Sequence, residues 1–259
     1  MRTSVALPAC TIALMLLAGC SAPTDHRLPI NVSPTVARLD RAIGIDVENY
    51  NGSVRIQVVP GLQRPEITAE VWDQSNGFMR RTDDAIVRGW YAANMTTQDG
   101  KPVLRVLTTR TANTTPPTFV KMTIKTPTLE GVRVRNNGGN VEVRGGSGPI
   151  TIENGFRGGE GGDILVVTPS RLSDPVRMTT TKGNVELRIA PSSQGSFELT
   201  ALKGDVAAAT RTEALTRSRR TATTWTGVMN NGTNKIELMS QDGDVTLDVG
   251  DTRQIEPSI

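Results

Sequence analysis

The chain has 259 residues, 37% hydrophobic, 3% aromatic and 21% charged, with one His and two Cys: enough Val, Ile and Leu for a core, and too little His and Cys for a zinc site, a His-based triad or a disulfide framework. Its 29 basic and 26 acidic residues leave a formal charge of +3, a near-balanced surface that argues against a nucleic-acid partner. Beyond the N-terminus no apolar run is long enough to span a bilayer, which excludes a polytopic membrane protein.

In chain order, Arg2, the apolar stretch from Val5 to Ala18 and the ending Leu17-Ala18-Gly19-Cys20 predict a signal peptide over 1–19. The last four residues resemble the lipobox of bacterial lipoproteins. That resemblance implies lipidation of Cys20, and Ser21 after it implies the outer membrane, so the first partner expected is the membrane itself, through a lipid anchor. Cys10 falls in the segment to be removed, no disulfide is expected, and His26 reads as a solvated residue. Residues 20–42, with Pro23, Pro29 and Pro34 among polar residues, predict a flexible tether.

The folded domain is expected over 43–250, with an irregular part at 43–130, regular coils at 131–250 and a polar tail at 251–259. Three strands are predicted over 43–72, then a short helix from Thr82 through Val87 with Thr82 as its N-cap. Strands at 90–95 and 103–108 flank Gln98-Asp99-Gly100 as a hairpin, and a further strand is predicted over 118–125.

A repeat runs through the rest. Gly, a polar residue and an aliphatic one recur at 52–54, 139–141, 162–164, 183–185, 204–206 and 243–245, and the four central glycines are 23, 21 and 21 residues apart. Nine residues before the aliphatic residue stands another that opens a strand: Ile45 before Val54, Val132 before Val141, Val176 before Val185, Phe197 before Val206 and Ile236 before Val245. Alternation such as Val141, Val143 against Glu142, Arg144 gives one buried and one wet face. Each unit is therefore two short strands joined at a Gly-containing corner, and its apolar face is buried only by stacking on the next coil. Arg177 and Glu198 are expected at equivalent places in successive coils. From Gly204 to Gly243 the spacing is 39, which leaves about 18 extra residues holding Arg211, Arg217, Arg219, Arg220 and Trp225. A strand is expected there over 221–228, followed by the Asn230-Asn231-Gly232 turn and a return to the ladder at Ile236.

The opening Ile45-Asp46-Val47-Glu48-Asn49 with Gly52-Ser53-Val54, the coils from Val132 to Ala209 and the ending through Trp225-Thr226-Gly227, Lys235-Ile236-Glu237-Leu238 and Gly243-Asp244-Val245 resemble the bacterial β-strand-repeat family known as putative adhesins, a domain class of undefined function. The resemblance spans about residues 43 to 250. It implies an all-β fold, a right-handed single-stranded β-solenoid of about 21 residues per coil, with no assigned catalytic residues.

Gly158-Gly159-Glu160-Gly161-Gly162-Asp163-Ile164-Leu165-Val166 matches the calcium β-roll repeat, but one copy supplies half a site, so Asp163 is a weak calcium candidate and a Gly-rich corner the preferred reading. Asp242, Asp244 and Asp248 read as corner caps and outward residues. Gly145-Gly146-Ser147-Gly148-Pro149 fails as a nucleophile elbow, and Lys182-Gly183 fails as a P-loop. Arg217, Arg219, Arg220 and Trp225 are where basic and aromatic groups concentrate; the cluster suits an anionic glycan or a lipopolysaccharide phosphate, and its other reading is a solvated loop whose Trp packs on the end of the solenoid. The expectation is a non-catalytic envelope lipoprotein without a cofactor, presenting a surface to an envelope glycan or protein. The alternative, a calcium-assisted enzyme of the polysaccharide lyase kind on a short β-helix, requires Asp163, Asp205, Asp242 and Asp244 to converge rather than to line one edge.

Overall fold

The computed structural model describes residues 28–30, 41–75, 78–81, 91–108, 118–210 and 215–250. Cys10, Cys20, His26, the helix expected from Thr82, Arg211 and the tail at 251–259 lie outside them. Among the described residues the chain is all-β, with one 3₁₀ turn at Phe156–Gly158. Strand β1 is Leu28–Ile30, and the first coil pairs β2 (Ile43–Asn49) with β3 (Val54–Val58). Then follow β4 (Glu66–Ser75), β5 (Phe78–Arg81), β6 (Tyr91–Gln98), and a coil made of β7 (Lys101–Thr108) and β8 (Thr118–Thr126). Three regular coils are β9 (Leu129–Asn136) with β10 (Val141–Arg144), β11 (Ser147–Asn154) with β12 (Ile164–Thr168), and β13 (Val176–Thr180) with β14 (Val185–Ile189). The C-terminal part holds β15 (Gly195–Ala201) with β16 (Val206–Thr210), the hairpin β17 (Leu215–Arg220) and β18 (Thr224–Met229), and a last coil of β19 (Lys235–Ser240) with β20 (Val245–Val249).

The first strand of every coil lies in one sheet and the second in another, with parallel pairing between coils. The expected nine-residue pairs hold: Ile45 and Val54, Val176 and Val185, and Phe197 and Val206 are all buried. The hairpin at Asp99-Gly100 holds as well, joining antiparallel β6 and β7 through two positive-φ residues (51° and 77°). Leu28–Ile30, inside the stretch expected as a tether, pairs antiparallel with β4, Leu28 opposite Ala69 and Ile30 opposite Ile67.

Spatial order departs from chain order at both ends. Along one sheet the first strands run β7, β2, β9, β11, β13, β19, β15, so β7–β8 stacks outside β2–β3, and the last coil of the chain sits between β13–β14 and β15–β16. The spacing of 39 between Gly204 and Gly243 is thus a skipped place filled later. This corrects two expectations. Arg177 lies opposite Glu237, at 3.9 Å, and Glu237 in turn lies opposite Glu198, so Arg177 and Glu198 are two coils apart. The strand expected over 221–228 is present as β18 (Thr224–Met229) but is not single: β17, just before it, pairs with it antiparallel, because the chain must turn back before it can re-enter the stack.

The core is built of columns in register. Val54, Val141, Ile164, Val185, Val245 and Val206 stand one above another across six coils and are each at most 1% exposed. At the inner side of the first corner the column becomes polar. Asn49 donates to Asn136 Oδ1 (2.9 Å), Asn136 to Asn154 Oδ1 (3.1 Å), and Asn136 also to the carbonyls of Gly52 and Gly138 (2.9 and 2.8 Å). Thr108 continues the column below Asn49, and Thr180 and Ser240 continue it above Asn154, each hydroxyl bonded to a neighbouring coil. These side chains satisfy corner carbonyls that no strand reaches.

Candidate functional site

The carboxylates of Asp163, Asp205, Asp242 and Asp244 were expected either to converge or to form a line, and Asp163, Asp244 and Asp205 stand in a line, while Asp242 enters the corner through its backbone carbonyl, which accepts from Gly183 N–H. Asp163 N–H donates to Asn140 Oδ1 (3.1 Å), Asn184 N–H to Asp163 Oδ1 (2.8 Å), Asp244 N–H to Asn184 Oδ1 (2.9 Å) and Asp205 N–H to Asp244 Oδ1 (2.8 Å). Each side chain caps the backbone of the next coil, so the row climbs one edge with the coil spacing of about 4.8 Å. The glycine before each of them is required by crowding: a Cβ at Gly183 would lie 2.6 Å from the carbonyl carbon of Gly162. Among the described residues no three His, Cys, Asp or Glu side chains gather as a metal site. Asp163 accepts the Asn184 N–H as a corner cap, and the Gly-rich segment before it forms an enlarged corner with Gly155 at φ +95° and the 3₁₀ turn.

The Arg and Trp cluster lies at the far end of the stack. Trp225 stands opposite Leu199 and is half-buried against the core, and its Nε1–H donates to Ser218 Oγ at 3.1 Å. The Arg220 guanidinium lies over the Trp225 ring, 5.1 Å from its centroid. Arg217 sits with φ +49° where the register between β17 and β18 shifts, and Arg219 lies opposite Thr226, one residue out of phase with Arg220. Hence Arg220 and Trp225 form one unit on the core side, while Arg219 belongs to the alternate face. Leu202 at the neighbouring corner is 54% exposed, a place taken in other coils by Tyr50, Asn137, Thr181 and Gln241.

Two concavities were not anticipated from the sequence. One, of about 470 Å³, crosses the starts of β7, β2, β9 and β11 and is lined by Asp46, Asp99, Arg133 and Pro149, with Lys101 and Glu130 paired at 2.5 Å on its rim. That hydrogen bond and charge raise the Lys101 pKa above its ordinary value. The second, of about 390 Å³, is lined by Glu48, Tyr50, Thr108, Asn137, Phe156 and Arg157. Arg135 and Arg157 both hold Glu48, at 2.6 and 3.2 Å, and both lie over the Phe156 ring. The signal that could have found it is Phe156-Arg157 inside a Gly-rich corner, an aromatic and a cation where a plain loop needs neither.

Residues 120–248 match the family model described as Toastrack DUF4097. No curated protein matches the chain. Among solved structures, a putative cell adhesion protein from Clostridium sporogenes is 8% identical, covering 87% of this chain and 99% of that one, with a TM-score of 0.44. A putative adhesin from Bacteroides fragilis is 11% identical, covering 87% and 96%, with a TM-score of 0.32. A putative lipid binding protein from Parabacteroides distasonis is 10% identical, covering 87% and 94%, with a TM-score of 0.24.

Proposed function

We propose that the protein is a non-catalytic lipoprotein of the bacterial envelope, tethered to the outer membrane through Cys20, whose solenoid holds a binding surface away from the lipid for an envelope glycan or protein. The observation that carries this reading is the use made of the polar side chains. The corner Asn and Asp side chains cap backbone N–H groups one per coil, and the outward charges pair with one another, Arg55 with Glu142 of the next coil at 2.7 Å and Arg188 with Glu186 of its own strand at 2.5 Å. Such an arrangement builds a stiff rod and leaves the ends as its distinctive surfaces. We read the coils as right-handed with about 21 residues each, the hand preferred for parallel crossovers.

The rod has a direction. With β1 held on β4, Cys20 precedes the folded part by eight residues, which span roughly 15 Å as a flexible chain. A sheet of ten strands extends roughly 45 Å, so the β17–β18 end stands farthest from such an anchor. Replacing Cys20 with Ala should leave an uncleaved precursor that takes up no lipid label, and normal maturation of that variant overturns the anchor. The mature chain, held in detergent, should be retained on envelope glycan and protein stripped of lipid; absence of retention overturns the binding reading.

A further inference from the structure

The two sheets end unevenly. The sheet that carries β16 stops there, while the opposite sheet continues past β15 with β18 and then β17, an overhang of two strands or roughly 10 Å. Beneath the overhang, the outer edge of β16 pairs with no strand among the described residues. Val245 N–H bonds to the Asp205 carbonyl, so Asp205, Ala207 and Ala209 direct their backbone groups to β20, and Val206 and Ala208 direct theirs to the open side.

Free edges are normally defended by a bulge, a Pro or an inserted charge. The edge at β17 is defended in this way, with a register shift at Arg217 and with Arg219 and Arg220 on the strand. β16 has no such defence: Ala207 and Ala209 are exposed, Ala208 is half-buried against the core, and the strand carries neither a charge nor a Pro. Its surroundings are apolar and basic. Leu202 and Trp225 flank the notch, and Lys203 and Arg220 stand at its rim, against Asp205, while Arg219 faces the other side of its strand.

A second copy of the chain does not fit this notch. Pairing β16 with its own copy about a two-fold axis would bring the β18 overhang of each molecule into the place of the other's β15. What fits is thin: one or two strands with no second layer behind them.

We propose that β16 is a docking edge for an extended, acidic segment of a partner protein, which adds to the sheet beneath the β17–β18 overhang, sets alternate apolar side chains against Ala208 and Trp225, and meets the basic rim with its carboxylates. This rests on the reading of the protein as a binding module and names its partner's chemistry. A row of backbone donors and acceptors in strand spacing selects a polypeptide over a glycan, and the rim selects its charge.

The test uses the mature chain and a synthetic seven-residue peptide of alternating Val and Thr with Glu at both ends, with a Lys-ended version as control. The acidic peptide should slow exchange of the Ala208 amide at least tenfold, and the Lys-ended peptide should bind at least tenfold more weakly. Ala208→Pro removes the open-side donor without touching the ladder to β20 and should abolish binding while the melting temperature stays near that of the wild type. If that variant loses stability, Ala209→Lys, which places a guarding charge on the exposed side of the edge, should weaken binding at least tenfold. The proposal falls if the Ala208 amide is already protected in the free chain, if Ala208→Pro and Ala209→Lys bind as well as the wild type, or if the mature chain dimerises through β16. Retention on lipid-stripped envelope material that survives in Ala208→Pro overturns this edge and leaves the binding reading standing, whereas absence of retention for the wild type overturns that reading itself.

Discussion

Asn136 is completely buried, and its amide serves four acceptors, the carbonyls of Gly52, Gly138 and Gly139 and the side chain of Asn154, while its oxygen accepts from Asn49. Truncation to Ala takes the donor from the buried Asn154 Oδ1 and one of two donors from each of the Gly52 and Gly138 carbonyls, and a buried orphan costs about 1–3 kcal/mol. Asn136→Ala should therefore lower the unfolding free energy by about 2–4 kcal/mol in urea. Asn136→Asp should cost more, because a carboxylate would face two carbonyls in place of a donor. Arg133→Ala, on the exposed side of the same strand, should stay within about 0.5 kcal/mol of the wild type. Equal losses at Asn136 and Arg133 would show that the polar column is not a structural element. The column was legible in the sequence. Asn49 precedes Gly52 by three, and so do Asn136 and Gly139, Thr180 and Gly183, and Ser240 and Gly243. Reading only forward from each Gly to its aliphatic residue passes over the hydrogen-bonding residue behind it.

Between elements, the outward ladders respond to acid. On β10, burial opposes ionisation of Glu142, but the hydrogen bonds and charges of Arg144 and Arg55 outweigh it and hold the carboxyl below the ordinary glutamate range. A depressed carboxylate contributes stability above its unfolded value, about 4.3, and that contribution is lost as pH falls through the lower folded value. Glu142→Gln should thus lower the melting temperature slightly at pH 7 and narrow its gap to the wild type below about pH 4.3. A gap that stays constant down to pH 3 would show that the β3–β10 pair does not contribute to acid sensitivity. What alternation establishes is which side chain faces inward, and so the inward set including Val185 and Leu187 was readable at once. What it leaves open is which coil stacks on which, because every coil offers the same Val, Ile and Leu pattern to either neighbour. Arg177 was matched to Glu198 on chain order alone, and Glu237 occupies the place between them. The site at the far end shows the same limit: Trp225 on the end of the core was legible, while the second strand of its hairpin was hidden by Arg217, Ser218, Arg219 and Arg220, which give no apolar alternation because β17 is an exposed edge.

For the molecule as a whole, the order of assembly follows from the skipped place. In the folded stack β15–β16 does not rest on β13–β14: the coil between them is the last one synthesised, and among the described strands β16 pairs with β20 alone. Two hydrogen bonds hold the skip open on the loop side: Leu172 N–H to Ser193 Oγ at 3.0 Å and Gln194 N–H to the Leu172 carbonyl at 2.9 Å. With the loop pinned there, β15 starts one coil too far out to slip down. A chain ending at Asn234 would lack β19 and β20, leaving β16 without a ladder partner and β15 with only β18. We expect residues 195–229 of that chain to exchange their amides freely and to be cut by protease, while the coils from β2 to β14 stay protected, because in a stack each coil is stabilised by its nearest neighbours. The identical apolar pattern permits one other outcome, in which β15–β16 drops onto β13–β14 with Phe197 over Val176 and Val206 over Val185. Protection of 195–210 in the truncated chain, with loss of the Leu172 contacts to the loop, would establish that slip and show that coil order is set by the last coil rather than by the pinned loop.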